Sequence, residues 1–137
     1  VTGVCDRCSF GIWLPVGELP ASTVGLYDDA RFPGRVIVSA HEHYEHLDEM
    51  PAGVLAAFMA DVTRTSRAVR SLDGVERVNV AVLGNREPHV HAHVIPRRAG
   101  EVNAGKAPWD EAPPRRSLND WNRLALTRQL RSLLDES

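Results

Sequence analysis

The sequence predicts an α+β domain, because short β-branched runs bounded by turn residues flank one long amphipathic stretch and a second helical stretch closes the chain. The first strands are Val24-Gly25-Leu26-Tyr27 and Arg35-Val36-Ile37-Val38-Ser39, with Phe32-Pro33-Gly34 as a turn between them. From Pro51 to about Leu72, the apolar residues Leu55, Phe58, Val62, Val69 and Leu72 recur at helical spacing. Pro51 suits a first turn and Gly74 a terminus. Arg77 to Leu83 and His89 to Pro96 are two further strands, and the Gly84-Asn85-Arg86-Glu87-Pro88 connection predicts an antiparallel pair. Residues 98–116 hold three prolines and two glycines and read as a long loop, functional or mobile. Ser117 followed by Asp120 resembles a capping box for a final helix over 117–135. The first fifteen residues carry no helical period and fit a turn or short hairpin.

A chain of 137 residues that is 43% hydrophobic can bury one sizeable core, so a single domain over 1–137 is expected. A net charge of -2 provides no global basic field. A nucleic acid polymer is therefore not an expected partner, whereas a small anion can still bind a local site. No run of 18 apolar residues or signal-peptide pattern is present, so no membrane partner and a cytoplasmic location are expected. The two cysteines, Cys5 and Cys8, stand at C-x2-C spacing, which in a reducing compartment reads as metal binding or redox chemistry.

The most informative segment is His89-Val90-His91-Ala92-His93-Val94-Ile95. Alternate side chains of a strand point to opposite faces, so the three imidazoles share one face while Val90, Ala92 and Val94 pack under the helix. A neutral imidazole is an abundant nucleophile at pH 7, and a neighbouring ring can donate to an oxygen. A metal site or a merely polar strand face is the plainer reading of clustered histidines.

This segment closely resembles the histidine triad (HIT) signature, in which three histidines alternate with apolar residues. The resemblance runs from the cysteines to about Trp109. It implies a five-stranded antiparallel sheet with a long helix packed on it and a C-terminal helix, paired as a homodimer. It also implies a nucleotide substrate, with His91 as the nucleophile at the α-phosphorus and His93 donating to a phosphoryl or leaving-group oxygen. Water would release the nucleotide in a hydrolase of dinucleoside polyphosphates or nucleoside phosphoramidates, and phosphate or a sugar phosphate would do so in a transferase. A nucleotide-binding protein with little turnover is a third reading, against which the intact His91 and His93 argue.

Two thiolates at this spacing can share one tetrahedral zinc, given two further ligands. The resemblance supplies them as His43 and His89, making residues 1–15 a zinc knuckle tied to the histidine strand and His89 a structural ligand. It also places a phosphate donor at Asn85, where relatives carry a glutamine followed by a hydroxyl residue; here Arg86 follows. Asp28 and Asp29 fall where relatives keep a ribose acceptor, with Asp28 slightly preferred. Arg97 and Trp109, in or beside the 98–116 active-site loop, are expected to contact the leaving group. Trp13 and Phe32 are aromatic enough to flank a base but are read as packing.

Overall fold

The computed structural model describes all 137 residues. Five strands form one antiparallel sheet: β1 (Pro15–Leu19), β2 (Ser22–Leu26), β3 (Val36–Ala40), β4 (Val75–Val82) and β5 (His91–Arg98). Their order is β1-β2-β3-β5-β4, so the strand that begins with His91 is interior, flanked by β3 and β4. Helix α1 (Ala52–Arg70) connects β3 to β4, and helix α2 (Asp120–Glu136) ends the chain. This is the five-stranded sheet with two helices that the HIT resemblance implies.

The binary pattern explains the layers. Val36, Val38 and Ala40 of β3 and Ala92 and Val94 of β5 join one core cluster with Phe58, Val62 and Val69 of α1 and Leu130 and Leu134 of α2. The alternate residues of the same strands therefore face away from the helices. In register, Ser39 stands opposite His91 and Ile37 opposite His93, and Ala81 of β4 flanks His93 on its other side. Pro96 lies beyond the last β5 residue paired with β3, so its missing amide leaves no gap on that side.

Strand β1 has no counterpart among the strand runs read from the residues. Pro15 and Gly17 weaken its propensity, and the strand is held by its neighbours instead. Arg131 of α2 donates to the Val16 carbonyl at 2.8 Å. Asp61 of α1 accepts from the Ala21 amide at 2.8 Å and the Ser22 hydroxyl at 2.7 Å, which pins the turn between β1 and β2. The C-terminal helix also starts later than its capping pattern suggests. Asn119, not Ser117, is the N-cap, accepting from the Asn122 amide at 2.7 Å. Leu118 is drawn into the core ahead of the helix, and its amide donates to Asp28.

Candidate active site and metal centre

The three histidines enter one environment from one stretch of chain, and all are buried. His91 and His93 lie with ring centroids 5.2 Å apart. Their hydrogen-bond partners assign each ring a protonation pattern, because a carbonyl only accepts and a guanidinium only donates. His91 Nδ1 is 2.6 Å from the His89 carbonyl, so Nδ1 carries the proton and Nε2 holds a free lone pair. His89 Nε2 donates to the Ala40 carbonyl at 2.7 Å, leaving its Nδ1 unprotonated. At His93, the Nη2 of Arg35 donates to Nδ1 at 3.0 Å, so the proton resides on Nε2. Burial first, then the charge of Arg35 and the proximity of His91, push the His93 pKa down to about 3. His93 is thus a neutral hydrogen-bond donor at physiological pH.

His91 and His93 open into a cavity of about 1030 Å³ whose walls include Phe10, Trp13, Asp28 and Asn85. Its size and mixed lining suit a nucleotide-sized ligand. The Phe10 ring stacks on His91 at 4.8 Å and 23° and on His89 at 5.4 Å and 17°. Trp13, read from the sequence as packing, is 79% exposed on the cavity wall, while Phe32 is fully buried as expected. Arg86, Arg115 and Arg123 stand around the same cavity.

Beside the triad, Cys5, Cys8, His43 and His89 converge, with one ligand atom from each lying within 4.8 Å of all the others. Cys5 Sγ and His43 Nδ1 are 3.5 Å apart, as are Cys8 Sγ and His89 Nδ1. With zinc–sulfur bonds of about 2.3 Å and zinc–nitrogen bonds of about 2.0–2.1 Å, a tetrahedron has sulfur–nitrogen edges of about 3.6 Å, so the donor set fits zinc. The His89 tautomer fits too, since its bare Nδ1 faces the thiols and its Nε2–H is anchored on a carbonyl, the usual support of a ligating histidine. Burial works to raise the Cys5 thiol, but the backbone amides of Arg7 and Cys8 outweigh it and draw its pKa below the ordinary thiol value. Burial also raises the Cys8 thiol and there prevails over the Phe10 amide.

Residues 15–100 match the HIT domain. The chain belongs to the HIT family. It is 36% identical over 99 residues to an uncharacterised HIT-like protein of Methanocaldococcus jannaschii, an alignment spanning 62% of this chain and 75% of that one. Among solved structures, a histidine triad protein of Bradyrhizobium japonicum superposes with a TM-score of 0.81 at 24% identity, covering 88% of this chain and 90% of the other. A zinc-bound histidine triad family protein of Mycobacterium smegmatis superposes with a TM-score of 0.66 at 24% identity, covering 89% and 84%. At such identities the likeness is one of fold.

The HIT domain does not bring all the residues expected at its site together. Asp29 is fully buried, and both of its carboxylate oxygens are engaged: Arg31 holds them through Nε, Nη2 and its backbone amide, and Arg35 through Nη1. No oxygen is left for a ribose hydroxyl, so Asp29 is structural. Asp28 does reach the cavity, although it also accepts from the Leu118 amide and from Arg123. Arg97 and Trp109 lie in a separate cleft of about 670 Å³ beside β4. Arg97 is consumed in fixing the 98–116 loop, donating to Glu101, Asn79 and the carbonyls of Asn103 and Lys106. The buried Asn103 amide donates to the carbonyls of Ala107, Pro108 and Asp110, so this loop is internally cross-linked. No sequence motif marks Phe10, Tyr27 or Arg35. For Arg35 a signal existed, because it lies in step with Ile37 and Ser39 on the face that Val36 and Val38 leave.

Burial alone would raise the Asp29 carboxyl, but the bonds from Arg31 and the charges of Arg31 and Arg35 outweigh it and hold its pKa below the ordinary carboxylate value. A depressed folded-state value means stability that is fully present above about pH 4 and lost as pH falls through the folded value. Asp29→Asn should therefore cost about 3–5 kcal/mol at pH 7 by stranding two guanidiniums. It should also flatten the fall in stability below about pH 4. Urea unfolding at pH 7 and pH 3 reads both effects, and equal stability of variant and wild type at pH 7 would refute the account.

Proposed function

We propose that this HIT protein cleaves nucleotides at the α-phosphorus through a covalent nucleotidyl-His91 intermediate, acting as a hydrolase on dinucleoside polyphosphates or nucleoside phosphoramidates. The observation that carries the reading is the bare Nε2 of His91 at the cavity wall with its Nδ1–H held by the His89 carbonyl. Nε2 attacks phosphorus with its lone pair as the bond to the leaving group breaks, and the Nδ1 proton stays in place. The positive charge arising on the ring is stabilised by the His89 carbonyl. Water then attacks phosphorus and gives up a proton to solvent, the phosphorus–nitrogen bond breaks with its electron pair returning to Nε2, and the ring is neutral again. His93 Nε2–H is the donor for a phosphoryl oxygen, with Asn85 and Arg86 as donors from the turn ahead of β5 and Asp28 as acceptor for the ribose.

Zinc is assigned to Cys5, Cys8, His43 and His89. When bound, it would tie the N-terminal segment to the start of β5 and hold the His89 ring out of the proton chemistry. A site with two reduced thiols suits the reducing cytoplasm. A homodimer is part of the same reading, because β4 is a sheet edge that exposes Val80, Val82 and Leu83.

Incubation with labelled dinucleoside polyphosphate, followed by a basic quench, should trap acid-labile nucleotide on wild type and none on His91→Ala. Equal labelling of the two excludes the mechanism. Elemental analysis of freshly purified protein should find about one zinc per chain, lost on Cys8→Ser; metal-free wild type would remove the assignment. Sedimentation equilibrium should give twice the chain mass for wild type and one chain mass for Val80→Lys. A monomeric wild type would end the dimer reading.

A further inference from the structure

The residue on which His93 depends lies outside every motif of the chain. Arg35 precedes β3 and reaches across to β5 with its side chain 12% exposed. One terminal nitrogen donates to His93 Nδ1 at 3.0 Å, the other to Asp29 at 3.0 Å, and its guanidinium carbon lies 4.1 Å from the Tyr27 ring centroid. Its Nε is buried without a partner. The geometry fixes more than orientation. A guanidinium cannot accept a hydrogen bond, so while Arg35 occupies Nδ1, His93 cannot take up a second proton there.

We propose that Arg35 is a positioning and specificity-determining residue: it holds His93 as a neutral Nε2–H donor that hydrogen-bonds the transferred phosphoryl group, so the site favours nucleotide phosphoanhydrides, whose leaving groups depart as anions. The inference rests on the hydrolase reading and narrows its substrate class. When His91 Nε2 bonds to the α-phosphorus of an anhydride, the bridging phosphorus–oxygen bond breaks and its electron pair leaves on a phosphate oxygen that is stable as an anion at pH 7. No proton has to be supplied. An amine leaving from a phosphoramidate must instead be protonated at nitrogen, and a neutral His93 is a poor acid for that step.

The groups facing His93 agree with this assignment. They are Arg35 from the chain before β3, His91 on its own strand, and the Tyr27 ring, T-shaped to His93 with centroids 5.4 Å apart; Arg35 is itself paired with Asp29, and Arg115 also lies against the Tyr27 ring. No carboxylate hydrogen-bonds or ion-pairs with the His93 ring to favour its protonated form. The pKa of His93, drawn down to about 3, follows from the same surroundings.

The test joins two measurements on wild type and Arg35→Met. Asp29 keeps its three bonds to Arg31 in that variant, so the fold retains a paired carboxylate. Nitrogen-15 spectra of the histidine rings, taken without nucleotide, should show His93 in wild type protonated on Nε2 only and not titrating between pH 5 and 8. In Arg35→Met, His93 should titrate within that range. The kcat/KM for a dinucleoside polyphosphate should exceed that for a nucleoside phosphoramidate by at least about tenfold in wild type, and the ratio should shrink by about tenfold in the variant. Arg35→Lys, which keeps a cation, should restore most of the ratio; Arg35→Gln, which removes the charge, takes the place of Arg35→Met if the latter does not fold. A wild-type His93 that titrates between pH 5 and 8, or a ratio unchanged in the variant, overturns the proposal. Cleavage of neither substrate with the His93 tautomer as stated would sink the hydrolase reading and spare the Arg35–His93 assignment.

Discussion

The pairing of β5 with β3 on one side and β4 on the other is the constraint on which the site depends. A central strand is satisfied along both edges, so its side chains are sorted strictly into two faces. One face, Ala92 and Val94, is spent on the core under α1 and α2. The other can therefore be polar without opening the core to water. A slip of one residue would drive His91 and His93 into the helices and expose the valines, so the hydrophobic pattern that stabilises the fold also fixes the register of the histidines.

Three chemically identical side chains then become unequal through their partners alone. Two are held by backbone carbonyls, at Ala40 and at His89, which oblige the facing nitrogens to carry protons. The third faces a guanidinium, which obliges the facing nitrogen to be bare. One ring is left with a lone pair toward two thiols, one with a lone pair on the cavity wall, and one with a proton to offer. Backbone carbonyls are well suited to this role because they only accept, so the ring nitrogen that faces one must carry the proton.

Local patterns made much of this legible in the chain. Period-two alternation located the histidine strand, and period 3.6 located α1 to within about two residues of its observed span, Ala52–Arg70. The cysteine spacing pointed to metal binding or redox chemistry, and family resemblance paired it with His43 and His89, which meet the thiols in space. What escaped was decided by partners distant in sequence. Strand β1 forms because α1 and α2 hold it, not because Pro15-Val16-Gly17 favours extension. Asp28 and Asp29 are adjacent and indistinguishable as letters, yet one reaches the cavity and the other is sealed between Arg31 and Arg35. Arg97 and Trp109 are near the triad in sequence, but the hydrogen bonds of Glu101 and Asn103 fold their loop toward β4 and away from His91.

The cluster around Asp29 contains one carboxylate and two guanidiniums, so beneath the open face of the sheet it carries a net positive charge. Arg31 disperses part of its charge toward the Pro113 carbonyl, but Arg35 has only half of Asp29, a neutral imidazole and the Tyr27 ring. A cation so poorly compensated in a buried position is unfavourable. An anion at His91 and His93 would relieve that cost, and it would do so more strongly as negative charge gathers on the phosphoryl oxygens during transfer.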